Sequence, residues 1–200
     1  MPLSEQQQIK MQQRRENILE AATKLFATEG YEGTTIKKVS QAAGVSFGSV
    51  FTYFKDKEEL FNTCVLEPLE NLSNHVLDFN PEVENPISEL EEMVKKHIVF
   101  FSGMNEYLAL IVQVVGQFQK HIETFEQLDR FHDEFRKKVG QLIQNGQEKN
   151  LLVEQDPLTV ATLYISLLIG IRLNSTDRRY DAIWEAYVPS TMHLFGPIKK

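Results

Sequence analysis

Apolar positions recur at three- and four-residue spacing almost throughout the chain, and that period predicts one helix after another. From about Gln8 to Thr28, Ile18, Ala22, Leu25 and Phe26 share one face, and Gly30 stands where a left-handed cap would end the run. A second helix starts at Thr34 or Thr35 as N-cap, carries Ile36, Val39 and Ala43 on one side, and stops at Gly44. A third begins after Ser46, with Val45 before it and Val50 inside it in the pairing of a hydrophobic staple. Asp56 and Glu59 form a capping-box arrangement ahead of a fourth helix through Leu60, Phe61, Val65, Leu69, Leu72 and Val76. Two prolines then place a loop over residues 78–86. Further helices are expected over 87–101, 106–119, 122–149 (with Thr124 a candidate break), 157–174 and 179–195, where Pro189 should introduce a kink. No segment alternates with a two-residue period between turn signals, so the expectation is an all-α fold of about nine helices without a sheet.

Composition adds an asymmetry to this picture. The 200 residues, 42% hydrophobic, suffice for one large or two small cores, and the net charge is −7. Residues 1–57 carry 8 Lys and Arg against 6 Asp and Glu, whereas residues 58–200 carry 13 against 22. A slightly basic N-terminal domain, 1–57, thus precedes an acidic helical body, 58–200, as in a small anion-contacting module on a larger carrier. The single cysteine, Cys64, excludes an internal disulfide framework and suits a reducing compartment. The polar start "MPLSEQQQIKMQQRRENI" lacks the apolar centre of a signal peptide, and the apolar stretches near Ile111 and Leu167 are expected to fall short of a membrane span, so the protein is expected in the cytoplasm.

The chemistry concentrates in "AAGVSFGSVFTYFKDKEEL", residues 42–60. Two short helices joined by Gly44, Val45 and Ser46 fit a helix-turn-helix, whose second helix enters the DNA major groove. Val45, Val50 and Phe54 are spaced to pack inward, which leaves Phe47, Ser49, Thr52 and Tyr53 outward. Hydroxyls there can bond base edges or phosphates, the Phe47 ring or the Thr52 methyl suits a thymine methyl, and Gly48 permits close backbone approach. Helix N-termini at Thr34/Thr35 and Asp56 offer amide hydrogens to phosphate, Lys37, Lys38 and Lys57 add charge, and Arg14 and Arg15 can reach from the N-terminal arm.

These residues carry a resemblance. "TTIKKVSQAAGVSFGSVFTYFKDKEELF" is similar to the DNA-binding signature of the TetR/AcrR family of regulators: the Ala-Gly-Val-Ser turn, a glycine two residues after the serine, an aromatic pair, then Phe-x-x-Lys-Glu-x-Leu. The resemblance implies phosphate contacts at Thr35, Tyr53 and Lys57, and base-reading positions at Lys37, Ser46, Phe47, Ser49 and Thr52. Phe51 departs from the pattern, standing where the family usually has a tyrosine.

For residues 58–200 the resemblance implies a ligand cavity and a dimer interface. "PLTVATLYISLLIGIRLN" is apolar nearly all round, as in a helix buried on several sides. A four-helix interface from this helix and the last one of each chain is implied, with Leu163, Leu167, Gly170, Ile171, Trp184 and Tyr187 as candidates. Candidates for the cavity are Phe61, Val65, Phe100, Phe101, Met104, Tyr107, Ile111, Val114, Gln117, Phe118 and Tyr164, with His97 and Gln113 as further polar contacts. Apolar walls with methionine suit a hydrophobic or amphipathic small molecule. The implied function is a ligand-responsive repressor that binds a near-palindromic operator as a homodimer.

Two other classes of function bear on the same sequence. The five histidines are dispersed, and the sequence has neither a phosphate-cradling glycine loop nor a nucleophile elbow, so no enzyme, cofactor or metal is expected. A constitutive DNA-bound protein that recruits or blocks a protein partner fits the same DNA-facing residues and stays open at this point.

Overall fold

The computed structural model describes residues 4–174 and 184–198, and nine α-helices lie among them. They are α1 (Glu5–Gly33), α2 (Ile36–Ala42), α3 (Phe47–Val50), α4 (Lys57–Val76), α5 (Pro86–Ser102), α6 (Asn105–Gly116), α7 (Ile122–Glu148), α8 (Pro157–Asn174) and α9 (Tyr187–Leu194). The chain forms two compact units, one of residues 1–69 with 106–125 and the other of residues 70–105 with 126–200.

In the first unit α1 packs on α2 and α2 on α3. Ile18, Ala22 and Phe26 of α1, Val39 of α2, Val50 of α3 and Phe61 and Val65 of α4 are fully buried. The first helix is longer than expected at both ends. Ser4 and Gln7 close a capping box at its start. At its end Gly30 takes φ 73°, which interrupts the winding without stopping it, and helix resumes to Gly33. The interruption is bridged from α6: the Gln113 amide donates to the Phe26 carbonyl (2.8 Å), and its oxygen accepts from the Tyr31 N–H (3.1 Å). Gln113, expected among ligand contacts, therefore spends both ends of its amide on the backbone of α1.

Capping at the start of α4 is half as expected. Asp56 accepts from the Glu59 N–H (2.9 Å), but Glu59 reaches back to the Lys55 N–H rather than to that of Asp56. Pro68 lies inside α4 without ending it, although it removes the bond to the Cys64 carbonyl.

In the second unit α5 packs on both α8 and α9. At its centre the buried His97 connects three elements. Its Nε2 lies 2.9 Å from the Val76 carbonyl, the last residue of α4, and its Nδ1 lies 2.9 Å from the Tyr164 hydroxyl of α8. A carbonyl only accepts, so Nε2 carries the proton, and Nδ1 accepts from Tyr164. Burial holds this imidazole down to about 4. Among the described residues the only β feature named is an isolated antiparallel bridge between Leu152 and Pro197.

Three expectations change. Helix α7 runs unbroken through Thr124, whose hydroxyl donates to Asn62 in the first unit. Pro189 sits at the third position of α9, just after a 3₁₀ turn over 184–186, where its missing N–H costs no bond within α9. The stretch 157–174 does reach the length and mean hydropathy (1.4) of a membrane span, because Arg172 is its sole charged residue. Residues 179–183 of the expected last helix lie outside the described residues.

Candidate nucleic-acid interface

The sequence writes a sharp stop and start between α2 and α3. Gly44 adopts φ 66°, and the hydroxyl of Ser46, the N-cap of α3, accepts from the Ser49 N–H (3.2 Å). Helical winding continues beyond α3 as turns, with Tyr53 and Phe54 N–H groups both donating to the Val50 carbonyl at 3.1 Å. Val50 and Phe54 thereby point into the core, as the spacing predicts. Thr35 caps α2 through the Lys38 N–H.

The opposite side of the motif is bare. Thr35, Lys37, Ser46, Phe47, Gly48 and Thr52 are exposed, and Ser49 and Tyr53 are half-buried. The Ser46 and Ser49 hydroxyls lie 2.7 Å apart and share a hydrogen bond. A Cβ added at Gly48 would meet nothing within 4 Å, so the backbone itself is accessible on this face. Chemically the surface offers hydroxyls, one lysine ammonium and two aromatic rings, the mixture expected of a face that meets phosphates and base edges.

Three other cations near the motif, Lys57, Arg15 and Lys38, are engaged within the protein. The Lys57 ammonium donates to the carbonyls of Tyr31 (3.0 Å) and Thr34 (3.3 Å) and sits 4.2 Å from the centroid of the Tyr31 ring. It thus caps the C-terminal end of α1, where the carbonyl dipoles favour a cation. Three N–H donors and two bonds leave a third N–H for an anion. Arg15 forks onto Glu67 (2.9 and 2.5 Å) and lies over the Phe54 ring, and this bond holds the Glu67 carboxyl below its usual range. The reach expected of Arg15 toward DNA is therefore spent inside the first unit. Lys38 pairs with Glu29 and the Gly33 carbonyl.

Sequence reasoning missed an aromatic and charged cluster beside Lys57. Lys120 pairs with Glu32 and lies 4.7 Å from the Tyr31 ring centroid. His121 packs against Tyr31 and Phe61, and burial, then the Lys120 charge, lowers its pKa. Neither of its ring nitrogens has a hydrogen-bond partner among the described residues. Residues some ninety positions apart meet here, so no local period could have announced it.

The expected ligand residues divide between the units. Phe61, Val65, Tyr107, Ile111 and Val114 are buried in the first, where the Tyr107 hydroxyl donates to the Val65 carbonyl (2.7 Å), while Gln117 and Phe118 are exposed on it. Phe100, Phe101, Met104 and Tyr164 belong to the second. There a groove of about 670 Å³ is lined by Asn74, His75, Asp78, Lys95, Lys96, Val99 and Phe100, and His75 stacks on Phe100 with centroids 4.9 Å apart. Of the expected interface residues, Leu163 is 52% exposed, and Leu167, Gly170, Ile171 and Tyr187 are half-buried. Trp184 is buried within the chain under the Arg172 guanidinium.

Comparison with known proteins bears on this geometry. The family of bacterial regulatory proteins, tetR family, matches residues 18–64, from the middle of α1 into α4. Over 166 residues the chain is 29% identical to the HTH-type transcriptional regulator YhgD of Bacillus subtilis, covering 78% of this chain and 82% of that one. It is 36% identical over 78 residues to the HTH-type transcriptional repressor AcnR of Corynebacterium diphtheriae, a match that takes in 39% of this chain and 40% of the repressor. The fold is that of AibR in complex with isovaleryl coenzyme A and operator DNA, with a TM-score of 0.72 at 19% identity over 92% of this chain and 100% of that one. The matched residues are those that build the exposed face of α2 and α3, and residues 18–64 carry the sequence pattern of the tetR family of bacterial regulatory proteins.

Proposed function

We propose that this protein is a ligand-responsive repressor that binds a near-palindromic operator as a homodimer in the cytoplasm, where its DNA target lies. The observation that carries the reading is the bare outward face of α3, with Phe47, Gly48, Ser49 and Thr52 beside the capped start of α2. In this reading Thr35, Tyr53 and Lys57 meet phosphates, and Lys37, Ser46, Phe47, Ser49 and Thr52 meet bases. Lys57 has a second task, since its bonds to Tyr31 and Thr34 fix the end of α1 to the start of α4.

The dimer is supported by α8. Only 28% of its apolar stretch is buried within the chain, and an exposed apolar face of that kind marks an interface. A twofold dimer through α8 and α9 would read two half-sites one DNA turn, roughly 34–36 Å, apart. The effector is a hydrophobic or amphipathic small molecule held by the helical body. AibR supports an acyl thioester as the first class to try. Such a ligand shifts the population toward an arrangement that does not bind DNA, with α4, continuous from Lys57 to Val76, as the element that connects both events.

Full burial of Phe61, Val65, Val114 and Tyr164 favours the second reading, a constitutive DNA-bound protein that acts through a protein partner. The two readings separate in one experiment. Operator complexes titrated with a panel of acyl-coenzyme A thioesters and free fatty acids should dissociate with at least one compound at micromolar concentration; a panel without effect on binding or on melting temperature favours the partner reading.

A further inference from the structure

Phe47 and Phe51 stand on the outer face of the reading helix, 54% and 44% exposed, with ring centroids 5.2 Å apart and planes at 68°. An edge-to-face pair with this much surface in water is unusual for a monomer surface, and neither ring can donate or accept a conventional hydrogen bond. Its neighbours are polar or bare: Ser46 and Ser49 bond each other, and Gly48 presents backbone. The pair is continuous with the helix-turn-helix face, so its occupant is the major groove. There the apolar group on a base edge is the C5-methyl of thymine.

Resting on the operator reading above, we infer that Phe47 is a specificity-determining residue for a thymine methyl in each half-site, and that Phe51 is a positioning residue that holds the Phe47 ring. The ring at position 51 supplies the surface against which Phe47 packs edge to face, a role that needs the ring and not a hydroxyl.

The test begins with selection of binding sites from a randomised duplex pool by the full chain. Each thymine of the selected site is then replaced symmetrically by deoxyuridine, which removes only the methyl. Wild-type protein should lose affinity at one thymine per half-site, about fourfold per methyl and about fifteenfold for both halves, with little change elsewhere. Phe47→Ala should bind the selected site about fifteenfold more weakly, and its own ratio between thymine and deoxyuridine sites should fall to about one. Phe51→Leu should lower the ratio, and Phe51→Tyr, which keeps the ring, should retain it. Both positions are exposed, so the variants should fold, which far-UV circular dichroism checks. A wild-type ratio near one at every thymine overturns the inference and leaves the operator reading standing, as does a Phe47→Ala protein with the full ratio. A pool that yields no enriched sequence overturns both.

Discussion

Replacing Gln113 by leucine probes the bridge between α6 and α1. Leucine nearly keeps the volume but removes both bonds across the break at Gly30, stranding the Phe26 carbonyl and the Tyr31 N–H. A buried backbone group without a partner costs about 1–3 kcal/mol, and Gln113 is half-buried, so water recovers part of that. The expected loss is about 2–3 kcal/mol, or about 5–10 °C in melting temperature for a chain of this size. Gln113→Glu should be intermediate to severe: its carboxylate still accepts from Tyr31 but sets negative charge against the Phe26 carbonyl. Because Tyr31 also carries the Lys57 and Lys120 ammonium groups, operator affinity should fall along with stability. Thermal unfolding followed at 222 nm and operator binding at 20 °C measure the two effects. A Gln113→Leu protein that melts within 1 °C of wild type would refute the argument, since the bridge would then contribute nothing.

Three further outcomes follow from buried titratable groups. His97 is held at about 4 against an ordinary 6.5, so the folded state binds fewer protons than the unfolded one; its contribution, about 3 kcal/mol at most, is complete above pH 6.5 and is lost as pH falls toward 4. Melting temperature measured across that window should fall in wild type and fall less in His97→Gln; equal slopes would refute the assignment. His121→Phe removes two unpartnered nitrogens from an aromatic nest and should raise the melting temperature by about 2–6 °C, whereas a drop of several degrees would mean that those nitrogens are bonded. Cys64 is buried, with its thiol pushed up to about 11, so alkylation by iodoacetamide at pH 8 should proceed only as fast as the protein opens; modification at the rate of a free thiol would contradict its burial.

What could be read from the sequence was local. Helix α8 occupies the predicted 157–174, because Asp156 precedes Pro157 at its start and apolar residues fill it without interruption. The turn between α2 and α3 was legible for the same reason: Gly44, Ser46 and Val50 act on neighbours within five residues. What escaped were contacts made across the chain. Gly30 reads as a terminator until Gln113 arrives from α6 to bridge it. The second task of Lys57, capping the end of α1, escapes because its acceptors inside the protein are backbone carbonyls, which leave no trace in side-chain pattern. Arg15 likewise reads as a free arm until Glu67, 52 positions away, takes it. Apolar character is a property that core and cavity share, so it does not distinguish Phe61 in a core from Phe100 beside a groove.

Operator reading by α3 is the proposal on which the others rest. The measurement that tests it most directly is a footprint on DNA from the intergenic region next to the protein's own gene, with excess unrelated competitor and a series of salt concentrations. Operator reading by α3 predicts protection of a near-palindrome whose half-sites lie about one turn apart, persisting in competitor and weakening as salt displaces the phosphate contacts. Binding that unrelated DNA removes at equal concentration, with no protected sequence at any salt, would contradict it.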